Sequence, residues 1–144
     1  MLSLGRTIWC VAGTGNAPPT ESDVLLDAYA GRANTAINSV LDINNDAGNL
    51  PLYWRVTLRS TFEPGAFGGS SVNIAEAGMA QTSTDAPSSI TSTSPLSSRG
   101  LLVDSFGNPT TVSVAPSEYL DIIWEYTEYL PYDLAGAVSL VLIS

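Results

Sequence analysis

The side chains able to do chemistry in this chain are almost all carboxylates. Histidine is absent from the 144 residues. That removes the imidazole base of Ser-His-Asp and Cys-His catalysis and a common nitrogen ligand for zinc. Paired acids remain, and two carboxylates suffice for glycoside hydrolysis. Glu118, Asp121, Glu125 and Glu128 lie close in sequence. On a strand, Glu125 and Glu128 have opposite parity and do not converge; on a helix all four share a face, and a charged helical stripe ordinarily meets solvent. Asp42, Asn44, Asn45, Asp46 and Asn49 offer oxygen ligands but lack the spacing and closing glutamate of a calcium loop, so they read as a turn. Cys10 is the single thiol. It can form no internal disulfide, and in an aromatic strand it reads as a small buried hydrophobe. Gly13-Thr14-Gly15-Asn16 invites a phosphate-loop reading, yet the phosphate-loop lysine is missing and Pro18-Pro19 separates it from the next segment. The expectation is a chain with no catalytic residues, no cofactor and no metal, and hence not an enzyme.

One carboxylate stands apart. Glu76 lies between the small residues Ala75 and Ala77. A covered Glu76 would accept hydrogen bonds from backbone N–H groups or pair with Arg99 or Arg55; the alternative is a strand carboxylate facing solvent.

The elements that would position these residues read mostly as strands divided by turns. Arg6–Ala12 is short, aromatic and β-branched, and ends at the Gly13–Asn16 cluster. Thr20-Glu21-Ser22-Asp23 has the residue types of a helix start, and Val24, Leu25 and Ala28 give an apolar face, so a short helix is expected over Glu21–Ala30. Thr35–Ile43 reads as a strand with Ile37, Leu41 and Ile43 on one side and Val40 on the other. Asn44–Asn49 is a turn. Pro51–Phe62 alternates most clearly: Trp54, Val56, Leu58 and Phe62 share one parity, and Tyr53, Arg55, Thr57 and Arg59 the other. Val72–Ala80 reads as a weaker strand.

Thr82–Pro95 is rich in Ser, Thr and Pro, with Ile90 its only large apolar side chain. It is expected to form a long loop, either draped over a neighbouring subunit or moving freely at the surface. Leu101–Ser105 and Thr110–Ala115 flank Phe106-Gly107-Asn108-Pro109, which suggests a hairpin. In Glu118–Leu130 the residues Leu120, Ile122, Trp124 and Tyr126 share one parity, and the β-branched and aromatic content favours strand over helix. Gly136–Ile143 is apolar on both parities, as in a strand buried on both faces or lying at a subunit interface, so 134–144 is expected to be an interface strand. The fold class expected is mainly β, a sandwich-like or barrel-like single domain over 1–144 with one short helix.

Composition narrows the partners. Charged residues make up 13% of the chain against 44% hydrophobic, where ordinary globular proteins carry about 25% charged. The shortage points to surface buried against other subunits; the alternative is that Ser, Thr and Asn supply the missing polarity. Fourteen acidic residues face five arginines, for a net charge of −9. Five scattered arginines make no basic stripe for nucleic acid and no polybasic patch for a membrane. The longest apolar run, Ala135–Ile143, is about half of the ~20 residues of a spanning helix, and Met1–Ala12 lacks the pattern of a signal peptide. A soluble chain made in a cytoplasm is expected.

Several of these pieces recur in a characteristic order: Gly13-Thr14-Gly15-Asn16, Pro19-Thr20, Ser22-Asp23 before Leu25, Arg32, Phe62-Glu63-Pro64-Gly65, the box Val72–Met79, Ser98-Arg99, Asp104, Gly107-Asn108, and Tyr119–Trp124. In this the chain resembles the small tail-fibre and collar-type structural proteins of tailed bacteriophages, over roughly Ala12 to Tyr126. The resemblance implies an oligomeric virion protein of tail, collar or neck, assembled in the host cytoplasm, partnered by copies of itself and neighbouring virion proteins, and possessing no catalytic residues. Two departures stand out: there is no repetitive shaft or receptor-binding tip, and Tyr129–Ser144 extends beyond the last family-like strand. Two alternatives accompany this reading: a capsid decoration protein, and a carbohydrate-binding module using Tyr53, Tyr126, Tyr129 and Tyr132.

Overall fold

The computed structural model describes residues 7–34, 37–46, 48–82 and 87–130. Its elements run β1 (Thr7–Gly13), β2 (Tyr29–Arg32), β3 (Asn38–Asn44), β4 (Leu52–Phe62), β5 (Val72–Ile74), β6 (Glu76–Thr82), a 3-10 turn (Pro87–Ser89), β7 (Leu96–Leu101), β8 (Val112–Val114) and β9 (Leu120–Leu130). The mainly β expectation holds. The strands form three sheets, ordered β2-β1-β6-β7, β3-β4-β9 and β5-β8. Contacts divide the chain into two compact units: Met1–Ile37 with Ser60–Ile122, and Asn38–Arg59 with Ile123–Ser144.

The first unit is organised by β1. Trp9, Cys10, Val11 and Ala12 are all buried, so this strand is covered on both faces. It pairs antiparallel with β6 along its whole length, from Thr7 opposite Thr82 to Gly13 opposite Glu76. On one face Trp9, Val11 and Ala80 join Ile90 in a cluster packed by Leu26, Tyr29 and Leu96. Residues directly opposite share a face, so Glu76 and Gly78 lie on this same side. The sheet therefore carries oil at one end of the face and a carboxylate at the other. Phe62 is fully buried and stacks on Phe67 at 5.2 Å.

Three local readings are corrected and a fourth, the Ser/Thr-rich loop, is narrowed. No helix forms over Glu21–Ala30; the segment is turns and irregular backbone, and its last two residues begin β2. Its backbone donors are taken by a distant carboxylate, as described below. Val72–Ala80 is two strands, because the Ala75 N–H bonds to Gly13 O and its carbonyl accepts from Leu102 N, which separates β5 from β6. The hairpin about Phe106–Pro109 is reduced to a turn with one bridge, Val103 to Pro109, because β7 pairs with β6 and β8 with β5. In the Ser/Thr-rich segment, Ile90 is 1% exposed and sits in the core, so the described part of that segment is anchored. Its residues 83–86 and the 134–144 segment lie outside the described residues.

The second unit contains β3, the Leu52–Arg59 part of β4 and the Ile123–Leu130 part of β9. β3 and β4 pair antiparallel with Leu41 opposite Val56, Ile43 opposite Trp54 and Asp42 opposite Arg55. Arg55 in turn reaches Thr127 and Glu125 of β9, which places odd-numbered β9 residues on its face. One face thus carries Leu41, Ile43, Trp54, Val56, Leu58, Trp124 and Tyr126. The other carries Val40, Asp42, Tyr53, Arg55, Thr57, Ile123, Glu125, Thr127 and Tyr129.

Ile90→Ala tests the anchoring of the Ser/Thr-rich segment. Emptying this buried position should cost about 2–5 kcal/mol, read as a lowered urea midpoint. A surface loop would change by a few tenths at most.

Candidate functional site

The polar centre of the first unit is Glu76, which is fully buried. Four donors meet its two oxygens. Oε1 accepts from the N–H of Gly15 at 3.1 Å and of Ala28 at 2.7 Å. Oε2 accepts from the N–H of Asp27 at 3.0 Å and from Arg99 Nε at 2.7 Å. Arg99, its side chain 4% exposed, continues the network. It donates from Nη1 to Asp23 at 2.6 Å and from Nη2 to Ala17 O at 2.9 Å. Asp23 is held by Thr20, whose hydroxyl and N–H both donate to its carboxylate.

β6 and β7 set the pair in place. Arg99 lies opposite Gly78, one diagonal step from Glu76 on the same face. The loop from Thr14 to Ala28 crosses that face and supplies every other partner. It is closed by Thr14 N to Ala28 O at 2.8 Å. The glycines are required by this approach. A Cβ on Gly15 would stand 2.5 Å from Glu76 Oε1, and one on Gly13 would stand 2.6 Å from the same atom. The Gly13–Asn16, Ser22-Asp23, Val72–Met79 and Ser98-Arg99 pieces of the sequence therefore converge on one carboxylate.

Burial alone would raise the Glu76 carboxyl. The Ala28 N–H, the Arg99 guanidinium and the Asp27 N–H outweigh it and hold it below its ordinary value. The Thr20 hydroxyl, then the Thr20 N–H, then Arg99 lower Asp23 to about 2. Burial would lower Arg99, but Glu76 and Asp23 outweigh it and raise it.

The network is ionised and answers each charge, and Glu76 itself is inaccessible to a substrate. Its chemistry is structural: it fastens the long loop onto the sheet. Of the two arginines named as partners for Glu76, Arg99 is the one. Arg55 instead lies over the Tyr53 ring at 4.8 Å and bonds Thr127.

The other sequence candidates are dispersed. Glu118 caps its own turn by accepting from Ala115 N, and Asp121 accepts from the Thr61 hydroxyl. Glu125 approaches Arg55 at 3.6 Å, and Glu128 falls on the opposite parity, as the strand reading required. Asn44 donates to the carbonyls of Asn49 and Pro51, and Asp46 accepts from Gly48 N, so these residues build a turn. Asp42 accepts from the Tyr53 hydroxyl. Among the described residues no three His, Cys, Asp or Glu side chains gather as metal ligands. Cys10 is buried. Tyr53 and Tyr129 meet edge to face at 6.3 Å, while Tyr126 lies on the other face; Tyr132 is outside the described residues.

Sequence reasoning missed the exposed apolar surface of the second unit. Leu41 is 61% exposed, Ile43 41% and Tyr126 41% on one face; Val40 is 66% and Ile123 61% on the other. The alternation in β3 was visible, but not that its apolar side would remain open.

The chain matches no family model, no curated protein and no solved structure.

Glu76→Gln removes one of the two carboxylates that meet the buried Arg99 guanidinium, leaving Asp23, and sets an amide N–H₂ among donors; it should destabilise the fold by about 3 kcal/mol, measured by equilibrium denaturation. Because Glu76 and Asp23 bind protons less readily folded than unfolded, their stabilisation is complete above the ordinary carboxylate range. It is lost as pH falls toward about 2. Stability measured against pH should decline across that window in the parent and decline less steeply in the Glu76→Gln variant.

Proposed function

We propose that this chain is a non-enzymatic structural subunit of a bacteriophage particle, of the tail, collar or neck, that works by packing against copies of itself and its neighbours. One observation carries the assembly part: the three-stranded sheet of the second unit presents Leu41, Ile43 and Tyr126 to solvent on the face it shares with Trp54, Val56, Leu58 and Trp124. Scattered exposed apolar residues are ordinary, but a contiguous set on one sheet face marks an interaction surface. At about 25 cal/mol per Å², covering several such side chains supplies several kcal/mol toward association. The low charge content agrees, since charged residues are depleted at the centres of interfaces. The particle part rests on the ordered motifs that resemble tail-fibre and collar-type proteins. Four of those pieces, Gly13–Asn16, Ser22-Asp23, Val72–Met79 and Ser98-Arg99, meet in the network around Glu76.

A capsid decoration protein would present the same surfaces, and locating the chain in an intact particle separates the two. For a sugar-binding module the pertinent feature is the Tyr53–Tyr129 pair. Its rings stand 71° apart, so they do not form one flat platform.

The chain should be oligomeric by light scattering at micromolar concentration and should appear in purified virions by mass spectrometry. Tyr126→Lys, on the open apolar face, should reduce the oligomer mass while leaving the β-sheet circular dichroism unchanged. A strictly monomeric parent chain that is absent from virions would overturn the proposal.

A further inference from the structure

β3 is an edge strand. Among the described residues it pairs with β4 on one side only, and Val40, Leu41 and Ile43 are all solvent-exposed. Native edges of this kind are ordinarily guarded by lysine, proline, a bulge or an inward charge. The segment Asn38-Ser39-Val40-Leu41-Asp42-Ile43-Asn44 has no lysine and no proline, and its pairing with β4 has no irregularity. Its one charge, Asp42, stands opposite Arg55 of its own sheet and accepts from Tyr53. Among the described residues the outer edge of β3 therefore has no strand partner, and it carries little electrostatic defence.

We infer that this edge takes a second copy of the same strand, antiparallel about a twofold axis through Leu41. The inference rests on the assembly reading above and names its partner and register. Three features select that register. Centring on Leu41 pairs all seven residues of β3, from Asn38 against Asn44 of the second copy to Asn44 against its Asn38. It sets odd residues opposite odd ones, so Ser39, Leu41 and Ile43 continue the apolar face across the axis; a slip by one residue would join apolar to polar faces. It also sets Asp42 against Val40 of the second copy. Centring on Asp42 would bring two like charges directly together, which is destabilising. The result is a six-stranded sheet, β9-β4-β3 followed by its twofold mate. Its self-complementary contact is the isologous kind that closes on itself.

Cysteine placement in the full chain tests the register. Directly opposite Cα atoms in an antiparallel pair lie about 4.5–5.5 Å apart, within disulfide reach. Leu41→Cys should therefore yield a covalent dimer under mild oxidation, with the 41–41 linkage found by peptide mass spectrometry. Val40→Cys should not link to itself. Cys10 is buried and serves in the parent chain as the internal control. Leu41→Lys, at an exposed position, places two ammonium groups face to face and should weaken the twofold contact at least tenfold without altering secondary structure. If the parent is oligomeric but Leu41→Cys fails to link and Leu41→Lys leaves the mass unchanged, the β3 pairing is overturned and the assembly reading survives. Should that Leu41→Lys chain also protect β3 amides strongly from hydrogen exchange, the edge is occupied by the chain's own remaining segment. A parent that stays monomeric at all concentrations overturns both.

Discussion

A carboxylate removed from water must have its charge met by protein groups, and the first unit depends on how that requirement is satisfied at Glu76. Leaving an ionised group without partners in the interior costs several kcal/mol. Here two oxygens receive four donors, three of them backbone N–H groups of one loop. Donors from Gly15, Asp27 and Ala28 have to be brought to a strand some fifty to sixty residues away. The loop's path, its glycines and the placing of Arg99 opposite Gly78 follow from that need. Irregular backbone that would otherwise hold many conformations is fixed at three of its N–H groups by one side chain, with Arg99 holding Asp23 and the Ala17 carbonyl beside it.

The same need explains why part of the fold was legible in the sequence and part was not. β4 and β9 were readable because strand alternation is local: Trp54, Val56 and Leu58 announce a face by their spacing alone. The segment from Glu21 to Ala30 was misread because Thr20 and Asp23 serve a helix start and a tight turn equally well. What decides between them is that the N–H groups of Asp27 and Ala28 go to Glu76 rather than to carbonyls one helical turn earlier. No window of ten residues contains that information. Ala75 and Ile90 were misjudged similarly. The break at Ala75 arises from Gly13 and Leu102, and the core place of Ile90 from Trp9 and Val11, all distant in sequence.

At the candidate site the residue types were visible and their pairing was not. Glu76 stood out by its small neighbours, but the choice of Arg99 over Arg55 is made by strand register. That register is the β6–β7 pairing, which sets Gly78 opposite Arg99 and Glu76 opposite Leu101. The exposed sheet of the second unit was hidden for a different reason. An amphipathic strand has the same pattern whether its apolar face is filled from within or left for another molecule.

The donors to Glu76 also tie hydration to the placing of the loop. β1 and β6 set the carboxylate into the face of their sheet, and the groups that replace its water come from a separate loop and from β7. Lifting that loop would return water to the carboxylate, because three of its four donors leave together. Wetting of the end of the sheet and release of the loop are therefore one event, at a point where three sequence-distant segments meet.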